Sequence, residues 1–144
     1  MIYFDNSATT KIAPGALKTY NIVSNRVWGN PSSLHNFGAK AFSLLEQSRK
    51  QIADLLGVNQ SEILFTSGGS EGDNWAIKGT ALAKRKFGNH IITTSVEHAA
   101  VSNSMHALEK LGFDVTYLPV DKYGRISIED LKKAIRPTTI LVSV

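Results

Sequence analysis

The residues best suited to chemistry are Thr66-Ser67-Gly68-Gly69-Ser70-Glu71. Two adjacent glycines let the backbone turn without side-chain obstruction and present several N–H groups together. Hydroxyls from Thr66, Ser67 and Ser70 lie in the same stretch. A helix expected to begin here adds free N–H donors and the positive end of its dipole, a combination that suits a phosphate. No lysine follows the second glycine, so this is not a Walker loop, and the G-x-G-x-x-G spacing of dinucleotide sites is absent. The same residues also fit a glycine-rich turn that does no more than start a helix.

Glu97-His98 is the second candidate, just after a predicted strand and at the start of a predicted helix. Open α/β sheets place their ligands at that edge. An imidazole there can stack on a planar cofactor, exchange protons near neutral pH, or fill space. The other histidines read as bland: His35 in the polar Gly29–His35 loop, His90 exposed at a strand start behind Gly88, and His106 mid-helix. No two histidines stand at i, i+4, and no His/Asp/Glu cluster has metal-ligand spacing, so no metal site is expected. Asn6-Ser7-Ala8-Thr9-Thr10 reads either as an active-site edge or as a polar turn, and Trp28 and Trp75 read as packing residues.

The elements that must position these residues alternate. Asn25 to Asn36 holds Gly29, Pro31 and two serines, and reads as a loop. From Phe37, apolar residues recur at three- and four-residue spacing through Leu56, with Gly57 as the stop. Glu62 to Thr66 predicts a short buried strand leading into the glycine loop. Ser70 and Asp73 read as a capping box that opens a helix toward Lys86. His90–Ser95 is a predicted strand, Ala99–Leu111 a helix stopped by Gly112, and Phe113–Val120 another strand. Ser127 and Asp130 form a second capping box, Pro137 closes its helix, and Thr139–Val144 reads as a central strand. Such alternation predicts an α/β fold with a mostly parallel sheet and covering helices. A chain ending inside its most buried type of strand points to part of a longer protein.

Composition narrows the function class. The 144 residues carry 16 basic and 12 acidic side chains, 42% hydrophobic residues and no cysteine. Without cysteine there is no disulfide, thiolate metal site or thiol nucleophile within these residues. The longest basic cluster is only Lys84-Arg85-Lys86, read as the solvated end of a helix rather than a nucleic-acid stripe. No apolar run is long enough to cross a membrane, and Met1-Ile2-Tyr3-Phe4-Asp5 lacks the features of a secretory signal. The expected compartment is therefore the cytoplasm, with neither nucleic acid nor membrane as partner.

In this order, several motifs resemble the N-terminal part of the pyridoxal 5′-phosphate (PLP)-dependent cysteine desulfurases, the NifS/IscS-like members of the class V aminotransferase family. They are Phe4-Asp5-Asn6-Ser7-Ala8-Thr9-Thr10, Gly29-Asn30-Pro31-Ser32-Ser33-Leu34-His35, Phe65 to Glu71 with Asp73-Asn74, and Val96-Glu97-His98. Gly112 to Val120 and the closing Thr139 to Val144 complete the set, which covers essentially the whole chain. The resemblance implies the large domain of the PLP-dependent aminotransferase fold (fold type I), incomplete here. Residues 1–36 would be an N-terminal arm and loops, and residues 37–144 part of the PLP-binding domain.

The resemblance further implies that Gly69 and Ser70 hold the PLP phosphate, Ser70 standing where the family usually has threonine. His98 would stack on the pyridine ring and move protons during catalysis. Glu71 is left as a helix-capping or structural residue. Family enzymes convert L-cysteine to L-alanine and pass the sulfur, as an enzyme persulfide, to an acceptor protein for iron–sulfur cluster assembly or tRNA thiolation. They are homodimers with sites near the subunit interface. The family's Schiff-base lysine and persulfide cysteine fall in later segments, so this chain is expected to be inactive alone. A selenocysteine lyase or another class V transferase is the neighbouring possibility. A stand-alone phosphate- or PLP-binding module without catalysis is the non-enzyme alternative.

Overall fold

A computed structural model describes residues 2–144. The chain forms two compact units, Met1–Leu64 and Phe65–Val144.

In the first unit, α1 spans Pro14–Arg26, with Pro14 in the first turn, where its fixed φ suits the helix and its missing N–H is not needed. α2 spans Asn36–Leu56, one residue earlier than the apolar periodicity placed it. His35 caps it, its Nδ1 accepting the Gly38 N–H at 3.1 Å. Gly57 ends it in the left-handed region, φ 68° and ψ 32°, as the sequence predicted. The strand expected over Glu62–Thr66 does not form. Gln60–Glu62 is a 3-10 turn instead, with the Glu62 carboxylate accepting the Asn59 N–H at 2.7 Å. The turn is tied back to α2 by Gln60 Nε2 donating to Glu46 Oε2 at 2.5 Å and Arg49 Nε donating to the Ile63 carbonyl at 3.0 Å. β propensity in Ile63-Leu64-Phe65 makes a strand only if another strand pairs with it. The sheet of the described residues holds three strands, none of which includes these residues.

The second unit contains α3 (Gly69–Lys84), β1 (His90–Thr94), α4 (Ala99–Lys110), β2 (Asp114–Leu118), α5 (Ile128–Ala134) and β3 (Thr139–Val142). The three strands are parallel in the order β2-β1-β3, so β1 is central and β3 flanks it. The run Thr139–Val144, read from sequence as central, is therefore an outer strand among the described residues. Its pairing with β1 skips a residue: His90 faces Thr139 while Ile91 faces Leu141, leaving Ile140 as a bulge. Gly88 makes the entry to β1 possible, because a Cβ there would stand 2.2 Å from the Thr138 carbonyl oxygen.

The core lies where α3 and α4 pack on the sheet. Ile77 and Ala81 of α3 meet Val101, Met105 and Leu108 of α4, Ile91 of β1, and Phe113. Each large side chain fully buried there contributes about 1.5–3 kcal/mol relative to exposure. Every residue of β1 is buried, as expected for a parallel strand covered on both faces.

That burial corrects one reading. His90 is 1% exposed rather than solvated. Its Nδ1 lies 2.7 Å from the Thr139 hydroxyl and its Nε2 2.8 Å from the Thr116 hydroxyl, so one imidazole bridges all three strands. The tryptophans are corrected in the opposite sense. Trp75 is exposed, and Trp28 is also exposed, with one ring edge against Phe37. Ser127 behaves as predicted, its Oγ accepting the Asp130 N–H at 3.2 Å to open α5.

Candidate cofactor site

α3 packs against α4 and ends shortly before β1 starts. β1 and β2 are parallel, so α4, which joins them, runs back across the sheet and begins at its carboxyl edge. Parallel sheets bind ligands at that edge. The two sequence candidates head these two helices.

At α3, Gly68 is the N-cap, and its carbonyl accepts the first helical bond from the Gly72 N–H at 3.1 Å. The N–H groups of Gly69, Ser70 and Glu71 have no partner within the helix, as the geometry of a helix start requires. Among the described residues no side chain caps this end. A Cβ added at Gly68 or Gly69 would meet nothing within 4 Å, so the space before these donors is open.

The hydroxyls divide in a way the sequence did not foretell. Thr66 Oγ1 donates to the Gly68 carbonyl at 3.1 Å. The Ser67 N–H and hydroxyl both donate to Glu71 Oε2, at 2.6 and 2.7 Å. These bonds, the backbone one first, hold the Glu71 carboxyl below its ordinary value. The capping box expected between Ser70 and Asp73 is thus replaced by a tie one turn earlier, Ser67 to Glu71. Of the two roles offered for Glu71, helix-capping or structural, it has the structural one, tying the loop to the first turn of α3, and Ser70 keeps a hydroxyl engaged in none of these bonds. The donor set facing open space is the free N–H groups, the Ser70 hydroxyl and the positive helix end, which fits a phosphate dianion.

His98 is the N-cap of α4. Its Nδ1 accepts the Ala100 N–H at 3.1 Å, and its carbonyl accepts from the Val101 and Ser102 N–H groups. An imidazole whose Nδ1 accepts carries its proton on Nε2 when neutral. The ring is exposed, so Nε2–H is available to a planar ligand while Nδ1 holds the helix. His98 and His35 thus share a capping geometry, and capping alone does not separate them. Position does: His98 stands at the carboxyl edge of β1.

The remaining histidines have structural partners. His90 is enclosed within the sheet, and His106 pairs with Glu109 Oε2 at 2.9 Å. Asn6 to Ala8 form a turn closed by the Ala8 N–H donating to the Asp5 carbonyl at 3.1 Å. At the far end of α3, Arg85 reaches back to the Leu111 carbonyl at 3.0 Å and covers the Phe113 ring, a packing role beyond the solvated end foreseen for it.

With this geometry in place, comparison with known proteins is decisive. The family model described as aminotransferase class-V matches residues 2–144. The chain belongs to the class V aminotransferase family. It is 67% identical over its full length to a NifS/IcsS protein homolog of Lactobacillus delbrueckii subsp. bulgaricus, of which it covers 37%. It is 49% identical over 143 residues to the cysteine desulfurase IscS of Methanosarcina thermophila, covering 99% of this chain and 35% of that protein. Among solved structures, a NifS-like protein superposes with a TM-score of 0.92 at 40% identity, covering 98% of this chain and 39% of the other. SspA in complex with cysteine superposes with a TM-score of 0.89 at 43% identity, covering 99% and 41%. The likeness to the N-terminal part of the NifS/IscS cysteine desulfurases therefore holds along the class V chain, at little more than a third of its relatives' length. No helix among the described residues is long and apolar enough to cross a membrane.

Proposed function

We propose that this chain is the N-terminal part of a PLP-dependent cysteine desulfurase and contributes one half of the cofactor site. The observation that carries the proposal is the α3 N-terminus, with an open donor set of the right charge and shape for a phosphate, in a chain of this family. Gly69 and Ser70 hold the cofactor phosphate through backbone N–H groups and the Ser70 hydroxyl. His98 lies along the pyridine ring and presents Nε2–H as a hydrogen-bond donor; taking up a further proton would require Nδ1 to leave the Ala100 N–H.

When bound, PLP supplies the electron sink that labilises bonds around the substrate α- and β-carbons. The chain's own residues then bind and orient. The helix dipole and N–H groups fix the phosphate, Glu71 is kept off it by Ser67, and the cap holds Nδ1 of His98 so that Nε2–H is the ring atom presented to the ligand. The whole protein would take L-cysteine to L-alanine, hand the sulfur to an acceptor protein for iron–sulfur cluster assembly or tRNA thiolation, and work as a cytoplasmic homodimer.

The 144-residue chain alone is inactive in this reading, since it has no cysteine to carry sulfur. The test is to incubate it with PLP and L-cysteine, measure alanine and sulfide, then reduce with borohydride and map any modified lysine. No product above the level of free PLP and no site-specific lysine adduct is the expected result. Turnover, or capture at one lysine, would overturn it.

A further inference from the structure

Four residues join β1 to α4, and one buried hydroxyl ties them together. Thr94, the last residue of β1, is 5% exposed. Its Oγ1 donates to Glu97 Oε1 at 2.8 Å and accepts the Val96 N–H at 3.3 Å. The Ser95 N–H is anchored separately to the Leu118 carbonyl of β2 at 3.0 Å. The next residue is His98, whose backbone at φ −59° and ψ 153° allows its ring to turn back onto the Ala100 N–H.

We propose that Glu97, acting through Thr94, is a positioning residue that fixes the imidazole of His98 at the sheet edge with Nε2–H presented. The proposal rests on the cofactor reading above and adds a component to it. A hydroxyl has one proton, and Glu97 takes it, which leaves a Thr94 lone pair for the Val96 N–H. Residues 94–97 therefore close into one turn, and the chain enters α4 at the angle the His98 cap needs. Without the carboxylate, the hydroxyl is free to rotate, the turn loosens, and the ring and the Ala100 N–H part. Glu97 itself needs no contact with the cofactor for this role. What matters is that it accepts a hydrogen bond, so glutamine should replace it and alanine should not.

The test uses the 144-residue chain and two readouts. The first is hydrogen exchange of the Ala100 amide, which reports the His98 cap directly. The second is equilibrium binding of PLP beside inorganic phosphate, which separates ring contacts from the phosphate seat. In Glu97→Ala and in Thr94→Val, Ala100 is expected to exchange about fivefold faster, the factor of a lost N-cap. PLP should bind several-fold more weakly while phosphate binding is unchanged, and Glu97→Gln and Thr94→Ser should restore both. Since Thr94 is buried, Glu97→Ala serves as the second, more exposed perturbation should Thr94→Val fail to fold. Unchanged Ala100 exchange in the breaking variants would overturn the proposal, as would faster exchange with unaltered PLP affinity. If the unsubstituted chain binds no PLP while Ala100 responds as expected, the cofactor reading fails and the control of His98 by Glu97 stands.

Discussion

Replacing His90 with leucine is expected to destabilise the fold by about 1–3 kcal/mol. The side chain keeps roughly its volume, but both imidazole hydrogen bonds are lost, each worth about 0.5–1.5 kcal/mol net. The two orphaned groups are not equivalent. The Thr139 hydroxyl still accepts the Arg136 N–H at 2.9 Å, whereas the Thr116 hydroxyl loses its bond to His90. Adding Thr116→Val to His90→Leu should therefore recover much of the loss, because an apolar pair needs no partner. Urea unfolding followed by circular dichroism gives the free energy. In a chain of this size the melting point should fall by roughly 3–5 °C per kcal/mol.

The same residue sets a pH dependence. Burial, with the Arg136 guanidinium adding to it and Asp114 opposing, holds the His90 imidazole below its ordinary value of 6.5. As pH falls through 6.5, the unfolded chain takes up the proton before the folded chain does. Stability is therefore full above 6.5, falls with pH down to the lowered folded value, and is flat below it. His90→Leu should lack this component, seen as the difference between the two stability–pH curves. Equal stability of the two proteins at neutral pH, or identical slopes below 6.5, would refute the bridging role.

Two further substitutions test particular features of the fold. Thr93 Oγ1 is the buried side-chain polar atom without a hydrogen-bond partner among the described residues. Thr93→Val should accordingly raise stability by about 1 kcal/mol in the same urea assay. Gly57→Ala should lower it by about 1 kcal/mol. A Cβ there meets nothing within 4 Å, so the loss would be purely the strain of φ 68° and should be smaller for Gly57→Asn.

Local chemistry made several elements legible from sequence. Apolar spacing and Gly57 bounded α2, Ser127 announced α5, and β1 and β2 fell where β-branched runs placed them. The glycine loop was recognisable as a helix start that could seat a phosphate or do no more than turn the chain, and the family resemblance favoured the first. The readings that failed all depended on distant partners. Among the described residues, Glu62–Thr66 carries strand propensity with no strand beside it, and Thr139–Val144, central by composition, pairs through Thr139–Val142 with β1 alone. His90 looked exposed because a polar residue behind a glycine usually is. Its burial depends on Thr116 and Thr139, 26 and 49 residues further along. Position within the sequence placed Ser70 at the head of α3 and His98 at the head of α4. The consumption of the Ser67 hydroxyl by Glu71 and the tie from Thr94 to Glu97 required three-dimensional geometry. Pro14 carried the signal for α1, in a stretch otherwise read as arm and loops.

The proposed phosphate seat at the head of α3 is tested most directly by titrating PLP into the 144-residue chain and into Ser70→Ala, following the cofactor's absorbance. A hydroxyl bonded to a charged phosphate is worth about 1.5–3 kcal/mol, so affinity should fall by about tenfold or more in the variant. Reversible binding weakened to that extent is the expected result. Equal affinity in the two proteins, with both folded, would contradict the account.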